Sequence, residues 1–187
     1  MKHTIRTTFG VTLLSALMSI GLGAETPAPG YVDFGKFSPP ASGGEFVEVN
    51  ISNNLIAMVA RLGEKSEPQI AELLRGLHGI RVNVIGLDDE NRAELQKRVK
   101  SIRSQLEAQG WERIVTAQKK AEDVGVYLKT RGEEAVQGVV VTVLEGNKQA
   151  VLVNVVGDMK PEKLALLGER FNIEPLKKLG DVHRKLP

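Results

Sequence analysis

An α+β domain of two layers, with a largely antiparallel sheet and helices packed on one face, follows from three features of this sequence. Helix-like and strand-like periodicities alternate up to about residue 109. Four β-rich segments then follow one another, and the last two are joined by Gly146–Asn147, a tight-hairpin signal. Late clustering of strands favours an antiparallel meander over a repeated strand–helix–strand architecture.

The elements follow in order. Val47, Val49 and Ile51 alternate with Phe46, Glu48 and Asn50, the mark of a strand with one buried face. Ser52 or Asn53 can cap a helix whose apolar face, Leu55, Ile56, Val59 and Leu62, is expected inward, with Gly63 at its end. Ser66 and Pro68 open a second helix with Ile70, Leu73, Leu74 and Leu77 inward. A strand carrying Ile80, Val82 and Val84 comes next.

Asp88 or Asp89 then caps the longest helix, reaching about Gln109, where Leu95, Val99, Ile102 and Leu106 form one stripe. Gly110 stops it. Strands are expected at Trp111–Ala117, Asp123–Lys129, Val136–Leu144 and Gln149–Val156. The third alternates valines on both faces, so it belongs in the centre. Pro161 begins a closing helix that turns Leu164, Leu167 and Phe171 to the sheet, and a basic tail occupies 181–187. The second strand, the long helix and the third strand form a right-handed crossover if those strands are neighbours.

The first 24 residues have the layout of a secretory signal. Lys2 and Arg6 precede an apolar stretch from Val11 to Leu22, and Gly21, Gly23 and Ala24 supply a small-residue cleavage zone. The stretch is shorter than the ~20 residues a spanning helix needs. A periplasmic or secreted location is therefore expected, with no transmembrane segment in the mature chain. The leader holds two of the 25 Lys and Arg residues and no acid, so 23 basic residues remain against 23 Asp and Glu. Zero net charge argues against nucleic acid as a partner, since phosphate binding rests on a basic excess. Cysteine is absent, which excludes disulfides, thiol nucleophiles and thiolate metal sites.

Residues 25–44 form an arm rich in proline and glycine that nevertheless holds Tyr31, Phe34 and Phe37. A disordered spacer has little use for three aromatics in seven residues. Either one or two rings pin the arm to the domain (45–180), or Tyr31, Phe34 and Phe37 form a binding element for a protein or envelope component.

Three segments carry a family resemblance: EFVEVNISNNLIAMVARL (Glu45–Leu62), LLRGLHGIRVNVI (Leu73–Ile85) and AVLVNVVGDMKPEKLALL (Ala150–Leu167). They resemble exported bacterial proteins grouped as domain of unknown function (DUF) 4252. The resemblance spans about Glu45 to Leu179 and implies the fold and export, with no catalytic residues to transfer.

Candidate chemistry is sparse. His78 and His183 lie in separate elements, so neither a zinc site nor a catalytic base is expected. Asp88, Asp89 and Glu90 lack the spacing of a calcium loop and suit a helix N-terminus. Glu133 and Glu134 occupy a polar loop. No nucleophile elbow or phosphate-cradling glycine loop occurs. The expectations are no catalytic residues, no metal and no cofactor. The favoured role is a non-enzymatic binding or protein-interaction domain of the envelope; a hydrolase with a dispersed site and a scaffold self-associating through a sheet edge are the alternatives.

Overall fold

The computed structural model describes residues 28–119, 122–132 and 135–160. Its elements are β1 (Phe46–Ser52), α1 (Asn53–Gly63), α2 (Pro68–Arg75), β2 (Leu77–Gly86), α3 (Arg92–Ala108), β3 (Glu112–Lys119), β4 (Glu122–Arg131), β5 (Ala135–Glu145) and β6 (Gln149–Met159). The six strands form one sheet in the order β1-β2-β6-β5-β4-β3, and every neighbouring pair is antiparallel. The α+β class and the late four-strand meander are as the sequence predicts. The leader, Glu133 and Glu134, the helix expected after Pro161, His183 and the basic tail lie outside the described residues.

Between β2 and β3 the chain crosses three strands, because β6, β5 and β4 separate them. The neighbouring crossover considered from sequence does not form, and α3 spans the sheet. Leu95, Val99, Ile102 and Leu106 are all buried against Ile85, Tyr127, Val140, Leu144, Ala150 and Leu152. A stripe at spacings of four, three and four gives a 17-residue helix one apolar side, about 26 Å long. Its C-terminus is fixed by Gly110 at φ 75°, whose N–H donates to Glu107 O while Trp111 N–H donates to Leu106 O. This is a Schellman closure, which needs a left-handed residue after the helix. It turns Trp111 into the same core as Leu106.

Adjacent residues of a strand face opposite ways. Val140 and Leu144 join the α3 core, whereas Val139 and Val141 join a second core with Ile56 of α1 and Leu74 of α2. Thus α3 covers one sheet face, and α1 with α2 covers one end of the other. Along that second face the cross-strand rows are valine-rich. One row runs Val47–Val84–Val151–Val143–Val124, and the next runs Val49–Val82–Val153–Val141–Val126. Val84, Val151 and Val143 are only half-buried.

The inward face expected for α1 is corrected by the structure. Ile56 and Ala60 are its buried residues, whereas Leu55, Val59 and Leu62 are exposed. The helix contacts β1, β2 and α2 through the narrow side that Ala60 provides. In α2, Ala71 and Leu73 are the buried residues and Pro68 occupies the first turn.

Candidate functional site

Two surfaces contain the residues singled out by chemistry. The first is the arm. Gly30 takes φ 90° and packs so tightly on β5 that a Cβ there would lie 2.0 Å from Gln137 O. From that point polar clamps fasten the arm to the α3 side of the sheet. Asn154, fully buried in β6, accepts Val32 N–H on Oδ1 and donates from Nδ2 to Gly30 O, both at 2.9 Å. Arg81 donates to Tyr31 Oη at 2.7 Å and sits over the Tyr31 ring. Arg98 donates to Phe34 O and Lys36 O, and its guanidinium lies 4.1 Å from the Phe37 ring centroid.

The three aromatics therefore have different surroundings. Phe34 is 2% exposed within the α3 core, Phe37 packs partly against that core, and Tyr31 keeps 40% of its surface. Phe34 has no surface to offer a partner. The sequence displays the rings but gives no sign of the strand residues Arg81 and Asn154 that hold the arm down.

A cleft of about 270 Å³ lies between Lys36–Ala41 and the start of α3, lined also by Asp88, Glu90 and Glu94. Its acids serve the helix start. The Asp88 carboxylate accepts N–H groups of Asn91 (2.9 Å) and Glu90 (3.0 Å) and the Ser42 hydroxyl (3.1 Å), while Asn91 Oδ1 accepts Asp88 N–H. The Asn91 backbone bond chiefly holds the Asp88 carboxyl below its ordinary range, outweighing the opposing effect of desolvation. The cap position of α3 is Asn91, whose side chain makes no cap bond to the helix; Asp88, expected from the sequence to be the cap, instead closes the turn just before it. His78 lies exposed in β2, at the register shift between Leu77 and Gly79. Among the described residues, no three His, Cys, Asp or Glu side chains group so as to hold a metal ion, and no helix is long and apolar enough to cross a membrane.

The second surface was not anticipated. Leu55, Met58, Val59 and Leu62 recur at helical spacing along the outer side of α1, and Met58 and Leu62 are 53% and 76% exposed. Val47 in β1 adds a further exposed apolar side chain. Five of the six large hydrophobic residues exposed among the described residues thus fall between positions 47 and 62. Isolated apolar residues on a surface are ordinary, but a continuous patch marks an interface. The sequence signal was present as two apolar stripes on one helix, 55–58–59–62 and 56–60.

The fold defines a class: a small α+β domain built on one six-stranded antiparallel sheet. The chain matches the family model described as domain of unknown function (DUF4252) over residues 42–167 and belongs to that family. The match takes in both the β1–α1 patch and the whole sheet. Neither the curated proteins nor the solved structures compared with it contain a match.

Proposed function

We propose that this protein is an exported, non-enzymatic interaction domain of the cell envelope that binds a protein through the β1–α1 surface. The observation that carries the reading is the outward stripe Leu55–Met58–Val59–Leu62. Burial of a large apolar side chain contributes roughly 1.5–3 kcal/mol, so four left in water on one face forgo a large stabilisation unless a partner covers them. The basic start and apolar stretch of the first 24 residues support export.

The test uses the double variant Met58→Glu/Leu62→Glu. Both positions are exposed in the single chain, so the variant should keep the wild-type circular dichroism spectrum and a cooperative melt. Chemical cross-linking in the native envelope should capture an associated protein with the wild type and lose it with the variant. Equal capture by the two would remove α1 from the interface and with it this reading.

A further inference from the structure

We infer that the partner at this surface is a second copy of the same chain, joined edge to edge through β1 into one continuous sheet. This rests on the reading of β1–α1 as an interface and names its occupant.

The two edges of the sheet differ. The β3 edge carries Glu112, Arg113 and Lys119, with its register shifted between Arg113 and Val115. Charges and bulges of this kind discourage further strand pairing. The β1 edge has neither lysine nor proline, and its seven residues pair with β2 without a break from Phe46↔Ile85 to Ser52↔Gly79.

The direction of the free main-chain groups is fixed. Gly86 N–H donates to Glu45 O at 2.7 Å, so Glu45 and Gly86 are a hydrogen-bonded pair. Bonded pairs alternate along an antiparallel ladder, which gives Val47, Val49 and Ile51 to β2. Phe46, Glu48, Asn50 and Ser52 therefore turn N–H and C=O outward.

Those four residues fit a copy of themselves in one register. A two-fold axis through Val49 sets Glu48 opposite the partner's Asn50 and Phe46 opposite the partner's Ser52, so every outward residue bonds an outward residue. On the other face, Val47 meets the partner's Ile51 and Val49 meets itself, apolar against apolar throughout. An axis through Glu48 would oppose two like charges, which cross-strand pairs disfavour. An axis through Asn50 would leave Phe46 without a strand partner.

The same axis explains the α1 stripe. A two-fold perpendicular to the sheet keeps equivalent faces on the same side. The helix α1 follows Ser52 directly, so it comes beside the far end of the partner's β1. There Val47, 38% exposed, and Val84 lie beyond the cover of their own α1 and α2. Each copy supplies the apolar helix face that the other lacks. Such an isologous arrangement is closed and stops at two.

The chain has no cysteine, which permits a register-specific test on the processed protein purified from the envelope. Residues facing each other at a non-bonded antiparallel position have Cα atoms about 4.5 Å apart, within disulfide range. Val49→Cys should form a disulfide-linked dimer under mild oxidation. Val47→Cys should not, since its two copies would stand about 13 Å apart. Wild type should sediment as a dimer at micromolar concentration, and Glu48→Pro, which removes an outward donor without cutting the β1–β2 ladder, should weaken association at least tenfold. A wild type that sediments as a monomer overturns the inference, as does equal cross-linking at positions 47 and 49. A monomer whose envelope partner is still lost in Met58→Glu/Leu62→Glu would leave the interface reading standing with a different protein in place of the second copy.

Discussion

Asn154 and Val32, far apart in sequence, are joined inside the protein by a 2.9 Å hydrogen bond from the Val32 main-chain N–H to the Asn154 carboxamide oxygen. The same carboxamide donates to Gly30 O and Val139 O, so one buried side chain ties the arm to the sheet. Replacing it by leucine removes these partners at once and strands buried main-chain groups. Asn154→Leu should lower stability by about 2–4 kcal/mol in urea unfolding and open the arm to proteolysis near Gly30. A loss below about 0.5 kcal/mol would mean that the rings and the Arg81 and Arg98 clamps hold the arm without Asn154.

The arm aromatics separate by burial. Phe34→Ser should destabilise the domain by about 3–5 kcal/mol, the usual cost of losing a buried ring. Tyr31→Ser removes a half-exposed ring stacked on Arg81 and should cost about 1 kcal/mol or less. Thermal melts of the two single variants check this directly. Similar losses for both would contradict the placement of Phe34 in the core.

Acid should act through the start of α3. Its hydrogen bonds hold the Asp88 carboxyl below the ordinary value of 3.8. A carboxyl depressed by folding stabilises the native state above its unfolded pKa, and that contribution fades as pH falls through the folded value. Asp88→Asn should therefore melt below wild type at pH 7, with the gap closing as pH drops beneath about 3.8. A gap of constant size from pH 7 to pH 2 would show that the charge of Asp88 contributes nothing.

Much of this fold was legible in the sequence, and the reasons are local. The α3 stripe stood out because Lys, Arg, Glu and Gln fill its other faces, and Gly110 marked its end. The meander was readable from β-rich runs separated by turn residues. On α1 the reading failed for a physical reason: periodicity reports that a helix has an apolar side, not which side meets its own domain. Leu55, Ile56, Val59 and Leu62 read as one apolar face by their spacing, whereas the structure buries Ile56 and Ala60. That misassignment coincides with the candidate interface. The arm's clamps were hidden for a different reason, since Arg81 and Asn154 look like ordinary polar positions of strands until the arm is laid over them.

The most direct measurement of the central claim, that the β1–α1 surface is covered in the native envelope, is methionine oxidation footprinting. Met58 lies in the exposed stripe at 53% exposure, and Met159 is buried at 1%. Thioether oxidation follows solvent access, so the two report on surface and core in the same molecule. In the intact envelope, Met58 should be protected nearly as well as Met159. In purified protein diluted to nanomolar concentration, Met58 should oxidise at least tenfold faster while Met159 stays protected. Rapid oxidation of Met58 in the envelope, at the rate seen in dilute solution, would contradict the account.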